Sequence, residues 1–337
     1  MYGDNPEVNQ QHPTQICFLG GLFDRSIVRE IERASLGGFQ AAANTLQWHI
    51  VDGLEANQPG CITLITAPFI GSFPAKYRHP IMKGWEFSHR QGAADQSIGF
   101  LNLPVIKHFS RVWGIRRALR AWARGTPGKK IIISYSLNYS FARSLAYVKS
   151  LDKRLVTCVV VPDLPEYMNT TMNVSVVYRL LKRFEITSIR RDFTAVDSLV
   201  LLTESMRDRL PPGPPHIVME GIANPAGLTA KETEPRSSTV VMYAGTLNAR
   251  YGILELLQAF ATIEDTHVQL MICGDGDSED VVRKAAAADD RIRYLGRVSH
   301  SEALVLQSKA TILVNPRRND EEFAKYSFPS KILEYMS

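Results

Sequence analysis

From Ser238 onward, short apolar runs alternate strictly with stretches of helical spacing. Runs that are apolar throughout are typical of strands buried on both faces. Single helices between such strands are typical of right-handed crossovers in a parallel sheet. Ligands bind at the carboxyl ends of the strands in sheets of this kind. The predicted strands carry the runs VVMYA, VQLMI, RIRYL and TILVN, and the predicted helices are Ile253–Ile263, Ser278–Ala287 and Ser301–Ser308.

The first half of the chain shows the same alternation less regularly. Between the halves, Leu228–Ser238 is polar and lacks hydrophobic periodicity, which is typical of a stretch between domains. We therefore predict an α/β protein of two Rossmann-like, doubly wound parallel-sheet domains, 1–227 and 239–337, joined by a linker at 228–238. The strand candidates of the first domain are Ile16–Leu19, Ile62–Ala67, Ile131–Ser134, Thr157–Val161 and Ser198–Leu202.

The composition is that of a globular protein, with 45% hydrophobic residues among 337. No apolar run approaches the roughly 20 residues of a membrane-spanning helix, and the polar start, Met1–Gln15, lacks the order of a signal peptide. We therefore expect a soluble, cytoplasmic protein. Four widely separated cysteines are interpreted as reduced core residues rather than metal ligands, and neither a metal nor a cofactor is expected. They are Cys17, Cys61, Cys158 and Cys273.

The positive net charge of +5 comes from one segment, because Lys107–Lys130 contains eight Lys or Arg residues and no acid. Apolar residues, Trp113 and Trp122 among them, interleave with these arginines. One interpretation is a solvated surface helix, in which arginine side chains cover apolar surface. The other is an amphipathic helix lying on an anionic membrane, on the inner face of which the protein would be peripheral. Nucleic acid is not an expected partner, because no nucleic-acid motif accompanies the charge.

The sequence stops at Ser337, inside the apolar helical stretch PSKILEYMS and without a Gly or Asn cap. A four-stranded sheet ending in an unfinished helix would expose apolar surface. We therefore expect that the natural protein continues and that the second domain is truncated here.

Each predicted strand of the second domain is followed by a loop with small or charged residues, and these loops should line one crevice. A helix that opens with Pro329, Ser330 and Lys331 presents backbone N–H groups to an anion, for which phosphate is suited. The Glu334 carboxylate, one turn later, has two oxygens for the paired hydroxyls of a ribose. The alternative is a simple Lys331–Glu334 ion pair at i,i+3.

Other common nucleotide and hydrolase motifs do not fit. Extending Gly274-x-Gly276 to a dinucleotide fingerprint places Glu279 where the third glycine belongs, and Asp275 and Asp277 would repel a pyrophosphate. The sequence also lacks a GxxxxGK[ST] loop, a GxSxG elbow and an HExxH pair, so ATPase, serine hydrolase and zinc protease functions lack support.

Several segments resemble glycosyltransferase family 4. In the second half they are YAGTLNARYGILELLQAF, MICGDGD, RIRYLGRVSHSEAL and VNPRR…YSFPSKILEYMS. In the first half LGGFQAAANTLQWHIVDGL, VVVPDLPEYM, LVLLTESM and VMEGIAN are similar as well. The resemblance implies the GT-B fold, in which two Rossmann-like domains face a cleft. It also implies retaining transfer of a sugar from a nucleoside-diphosphate sugar to a glycan or lipid-linked acceptor, in envelope, capsular or exopolysaccharide synthesis.

The resemblance also implies a donor site. Glu334 would hold the ribose, and the backbone of the loop before it, with the Lys331 side chain, would face the diphosphate. Arg297 and Val298 would contact the base through backbone atoms. In the first domain Gly37 and Gly38 would face the phosphates, or form only a tight turn. The remaining implied donor residues are Gly245, Thr246, Gly274, Gly276, Ser327, Phe328 and Ser330.

The sequence departs from the family pattern in the donor loops. Tyr326 stands where the first of two glutamates is usual, with Glu321 and Glu322 as alternatives. The usual basic pair of the first loop falls on Thr246 and Tyr251, which leaves Arg250 as the candidate cation.

The first domain departs from the pattern as well. Its usual His-Asp pair appears as Pro162-Asp163, so Asp163 and Glu166 are the catalytic candidates, as nucleophile or as groups that orient the acceptor. Tyr135, Ser136 and Asn138 are acceptor candidates. Two functional alternatives remain open, a nucleotide-sugar epimerase or hydrolase on the same scaffold and a non-catalytic nucleotide-binding subunit.

Overall fold

The structure is a computed structural model that describes residues 13–36, 40–166, 176–223, 238–318 and 322–336. The chain divides into two compact units, Met1–Glu220 and Gly221–Ser337. Of the predicted linker, only Ser238 lies among the described residues.

The described residues of the first unit form a sheet of eight strands in the order β10-β9-β8-β7-β1-β2-β5-β4, in which β4 and β5 are antiparallel and the other neighbours are parallel. β3 and β6 form a separate antiparallel pair. The strands are β1 (Gln15–Gly20), β2 (Ile62–Thr66), β3 (Ile81–Met82), β4 (Trp85–Phe87), β5 (Asp95–Ser97), β6 (Phe100–Leu101), β7 (Lys130–Tyr135), β8 (Val156–Val161), β9 (Ser198–Leu201) and β10 (His216–Val218). The helices are α1 (Val28–Ala34), α2 (Ala41–Asn57), α3 (Ile106–Gly125), α4 (Tyr139–Leu151) and α5 (Val176–Asp192).

The central strand β1 pairs with β2 on one side and β7 on the other. Its residues Cys17, Phe18 and Leu19 are fully buried, as the apolar runs of the sequence predict for a doubly wound sheet. All five strands predicted for the first half are present. The short strands β3–β6 and β10 were not predicted.

The second unit has a parallel sheet of four strands in the order β13-β12-β11-β14. Its core contains Tyr243, Leu270 and Ile272 from the strands, with Ile253 and Phe260 from the first helix packed against them. The predicted alternation and fold class are confirmed in both units. The elements are β11 (Thr239–Ala244), α6 (Ile253–Ala261), β12 (Val268–Cys273), α7 (Glu279–Ala288), β13 (Ile292–Tyr294), α8 (His300–Gln307), β14 (Ile312–Leu313) and α9 (Ser330–Met336).

The basic segment Lys107–Lys130 differs in part from the surface helix that its sequence indicates. Helix α3 ends at Gly125, and Lys130 begins strand β7. Lys107 and Arg111 are buried, with 7% and 6% of their surfaces exposed. Both side chains donate to backbone carbonyls of the loop after β2, Lys107 to Ile70 and Arg111 to Ala67 and Pro68. These two side chains therefore anchor α3 to that loop instead of facing solvent or lipid.

Candidate functional site

At the carboxyl edge of the second sheet, hydrogen bonding continues past the ends of the strands. The Gly245 amide donates to the Cys273 carbonyl at 2.8 Å, and the Gly274 amide donates to the Gly296 carbonyl at 2.8 Å. Gly274 has a φ of +136°, and a Cβ there would lie 1.8 Å from the Gly245 carbonyl oxygen. Glycine is therefore required at 274, and the loops after β11, β12 and β13 lie side by side.

The Lys331 side chain occupies the space above Gly245. A Cβ on Gly245 would lie 1.3 Å from the Lys331 Nζ atom, so the ammonium sits where any other residue would have its side chain. The Nζ atom also lies 4.5 Å from the centroid of the Tyr243 ring. The Tyr243 hydroxyl donates to the Thr246 carbonyl at 2.9 Å and so fixes the ring against the loop.

The electrostatics of Lys331 suit an anionic ligand. Burial lowers the pKa of its ammonium to about 8, although the Glu334 carboxylate favours the charged form. A poorly hydrated ammonium gains more from an incoming anion than a lysine in water does, because less hydration is lost on binding. The Lys331 ammonium, beside the glycine loops, can therefore bind a phosphate group.

The other predicted residues of the second unit lie on the same loops. Arg250 is in a 3-10 turn, and its amide donates to the Asn248 Oδ1 at 3.0 Å. Arg297 follows β13, 3.9 Å from the Asp275 carboxylate, and Val298 packs beneath it against the core. Near α9, the Ser327 carbonyl accepts a hydrogen bond from Arg317 at 3.1 Å. Of the remaining predicted residues, Gly276 follows β12, Phe328 is half-buried, Ser330 is the first residue of α9 and Glu334 lies within it.

In the first unit, the acceptor and catalytic candidates gather at the carboxyl ends of β7 and β8. Tyr135 is buried, and burial, with the nearby Asp163 charge, raises the pKa of its hydroxyl. Ser136 has a φ of +89° and donates its amide to the Val160 carbonyl. The Asn138 side chain caps α4 by accepting from the Phe141 amide at 3.1 Å.

Glu166 lies 3.6 Å from the Arg190 guanidinium, beside a small apolar depression lined by Leu137 and Leu210. The structure thus brings Glu166, Asp163 and the acceptor candidates to one edge of the first sheet. Their roles stay predictions. The other residues predicted to face phosphate, Gly37 and Gly38, lie outside the described residues.

Two features of these edges were not predicted from the sequence. Tyr243, which supports Lys331, is an apolar-run residue whose pattern indicates only a core position. In the first unit, Gln47 of α2 holds the turn after β1 by accepting from the Gly21 amide at 2.7 Å. Nothing in the spacing of a lone buried glutamine marks this contact.

No three His, Cys, Asp or Glu side chains in the described part of the chain are arranged to hold a metal ion. None of the described helices is both long and apolar enough to cross a bilayer.

Residues 238–337 match the family profile described as "Glycosyl transferases group 1". Most of the second unit is therefore similar to group 1 glycosyltransferases. The match contains Gly245, Gly274, Lys331 and Glu334, so the glycine loops and the buried ammonium lie within the matched segment. No curated protein matches the chain.

Solved structures of glycosyltransferases are similar in fold to this chain. Their sequence identities are so low that the similarity shows the fold alone. The lipopolysaccharide outer core galactosyltransferase WaaB is 12% identical with a TM-score of 0.52, over 89% of this chain and 73% of its own. An α,α-trehalose 6-phosphate synthase from Burkholderia multivorans is 11% identical, with a TM-score of 0.57 over 96% and 81%. The catalytic domain of starch synthase IV from Arabidopsis thaliana, bound to ADP and acarbose, is 8% identical, with a TM-score of 0.55 over 90% and 78%. These neighbours have the GT-B fold that the resemblance implies.

Proposed function

We propose that this protein transfers a sugar from a nucleoside-diphosphate sugar to a glycan or lipid-linked acceptor, with retention of anomeric configuration. The observation that carries the proposal is the Lys331 ammonium, held against Tyr243 over the bare face of Gly245. Its place in the segment similar to group 1 glycosyltransferases supports the same conclusion. The ADP bound to the starch synthase neighbour is consistent with a nucleoside-diphosphate donor.

The chemistry assigned to Lys331 follows from charge. When the bond between the sugar and the diphosphate breaks, negative charge develops on the leaving phosphate oxygens. A desolvated ammonium that is already in place stabilises this charge without reorganisation. Glu334, on the same helix, would accept hydrogen bonds from the ribose hydroxyls of the donor.

The first unit would bind the acceptor through the carboxyl edge of its sheet. Asp163 and Glu166 would orient the acceptor hydroxyl, and we assign no protein nucleophile. In cells, we place the reaction in the assembly of an envelope, capsular or exopolysaccharide.

The test is turnover with a panel of nucleoside-diphosphate sugars and a mixture of glycan and lipid-linked acceptors. We expect one donor to be consumed, with the anomeric configuration of the product, read by NMR, equal to that of the donor. Lys331→Met and Glu334→Gln should each lower kcat/KM at least tenfold, whereas Lys309→Met, an exposed control in the same unit, should not.

Other outcomes would identify the alternative functions. Release of free sugar or a changed sugar without transfer would indicate a hydrolase or an epimerase. Nucleotide binding without turnover would indicate a non-catalytic subunit. Full transfer by both site variants would contradict the assignment of the site.

A further inference from the structure

Helices α3 and α5 of the first unit expose large apolar side chains. On α3, Phe109 and Trp113 have 53% and 69% of their surfaces exposed. On α5, Leu180 and Phe184 have 59% and 56% exposed, and Leu181 is exposed beside them. We call these five residues the α3–α5 apolar patch. Clusters of exposed apolar residues in a globular protein mark interaction sites.

The two halves of the patch are joined by an aromatic residue of α4. The Tyr139 ring lies 6.0 Å from the Phe109 ring and 6.0 Å from the Phe184 ring, measured between centroids. Phe109 and Trp113 are four residues apart on α3, as are Leu180 and Phe184 on α5, so each pair shares one helix face. The exposed side chains therefore form one surface across three helices.

Positive charge surrounds this surface. Helix α3 contains no acidic residue, and its Arg117 and Arg120 are exposed. Helix α5 carries five basic and two acidic residues, and the exposed Arg179 and Arg183 directly precede Leu180 and Phe184. The Arg117 guanidinium lies 5.9 Å from the Trp113 ring centroid. Apolar and aromatic side chains with arginines beside them match the acyl boundary and phosphates of an anionic bilayer.

The patch lies at the end of the first unit that carries the acceptor candidates. Lys107 and Arg111 tie the first half of α3 to the loop after the carboxyl end of β2. Tyr139 directly follows the loop that leaves β7, next to Asn138. Helix α5 is the crossover that follows β8, so its first turns lie toward the carboxyl end of that strand.

We propose that the α3–α5 apolar patch docks on an anionic bilayer. Docking holds the carboxyl edge of the first sheet at the lipid headgroups, within reach of a lipid-linked acceptor. The acceptor assignment rests on the proposed function, whereas the docking does not. The patch extends beyond the basic segment predicted from the sequence, because three of its five residues lie on α5. Lys107 and Arg111 of the basic segment do not contact the membrane, because both are buried.

The test is co-sedimentation of the protein with vesicles of phosphatidylcholine alone or with phosphatidylglycerol, at low and high salt. We expect binding to the anionic vesicles at low salt, at least tenfold stronger than to phosphatidylcholine and weakened by salt. The double variant Leu180→Ser/Phe184→Ser should lose at least tenfold in binding. The matched control is Ile217→Ser, which removes an equally exposed side chain of β10 in the same unit. Its binding should be unchanged.

A second readout follows Trp113 itself. Its fluorescence should shift to shorter wavelength on anionic vesicles, and this shift should be absent in Trp113→Phe. The proposal would be overturned if the wild-type protein did not bind anionic vesicles, or if the double variant bound them as well as the wild type. A dimer in sedimentation velocity that dissociates in the double variant, without vesicle binding, would assign the patch to a second copy instead.

Membrane docking and the proposed transferase function can be tested independently of each other. Lys331→Met should bind vesicles normally but lose stabilisation by nucleoside diphosphates. The double variant should keep that stabilisation, and it should lose activity only on lipid-linked acceptors in vesicles. Full activity of the double variant on that substrate would overturn the acceptor assignment alone.

Discussion

Under the proposed function, the environment of Lys331 should give donor binding a specific pH dependence. The ammonium is largely removed from water and rests on the Tyr243 ring, so its pKa falls to about 8 from an ordinary value near 10.5. The terminal phosphate of a nucleoside diphosphate titrates near pH 6 and is fully charged above pH 7. Between pH 7 and 9.5, we therefore expect the charge on Lys331 to control donor binding.

The first prediction concerns this titration. Affinity for the nucleoside diphosphate should be constant from pH 7 to about 8 and then fall about tenfold per pH unit, because only the protonated amine binds. Isothermal titration calorimetry measures it. Lys331→Arg is the matched control, since a guanidinium remains charged throughout this range and its affinity should stay flat. A wild-type affinity that is flat to pH 9.5 would contradict the assignment.

The second prediction concerns Gly245. In Gly245→Ala the new Cβ takes the place of the Lys331 Nζ atom, which must move away. Because the displaced atom ends a flexible side chain, the fold should survive with a loss of at most about 1 kcal/mol. Nucleoside diphosphate affinity should fall at least tenfold in the same calorimetric assay. Gly53→Ala in α2, where a Cβ meets nothing within 4 Å, should leave affinity unchanged and gain about 0.5–1 kcal/mol of stability. Unchanged affinity in Gly245→Ala would show that the ammonium does not act from this place.

At the scale of elements, a buried charge network fastens the short strand β5 to the rest of the first unit. The His89 ring lies between two carboxylates, with Nδ1 2.6 Å from Asp95 and Nε2 3.0 Å from Glu55. Asp95 also accepts from the Leu64 amide of β2 at 2.8 Å. Burial opposes the charge on His89, but the hydrogen bonds and charges of the two carboxylates outweigh it and raise the pKa.

The third prediction follows from the sign of this shift. A histidine whose folded pKa is raised stabilises the fold fully below its unfolded pKa, near 6.5, and loses that contribution as pH rises through the folded value. His89→Gln should therefore cost about 2 kcal/mol at pH 5.5 and less at pH 9, as measured by urea unfolding. The control Arg25→Gln breaks an exposed ion pair with Asp52 and should cost under about 1 kcal/mol at either pH. A pH-independent cost for His89→Gln would mean that the ring is neutral in the folded protein.

The elements that the sequence predicts are those with long, strongly periodic patterns. β1, β7, β8, β11 and β12 are continuous apolar runs because they are buried on both faces. Strands β3–β6 escape prediction because each has two or three residues and is stabilised by distant contacts such as that of Asp95 with Leu64. The motif makes Lys331 a candidate site residue, whereas its contact with Tyr243 depends on a close approach across Gly245 that no spacing reveals.

At the scale of the whole molecule, the two units have separate sheets and separate hydrophobic cores. The group 1 match and the Lys331 site both lie in the second unit, whereas the α3–α5 apolar patch and the acceptor candidates lie in the first. Such a chain need not unfold in one step. A ligand confined to one unit raises the free energy of unfolding of that unit first.

The last prediction uses this division. At 100 times its dissociation constant, a nucleoside diphosphate stabilises the unit that binds it by about 2.7 kcal/mol. Hydrogen exchange read by mass spectrometry should therefore slow about 100-fold for the core amides of β11 and β12, which exchange only when the second unit unfolds. Core amides of β1 and β7 should not change, because their exchange reports unfolding of the first unit. Gly245→Ala at the same ligand concentration should show a much smaller effect in β11 and β12. Slowing confined to β1 and β7 would place the donor site in the first unit and contradict its assignment to Lys331.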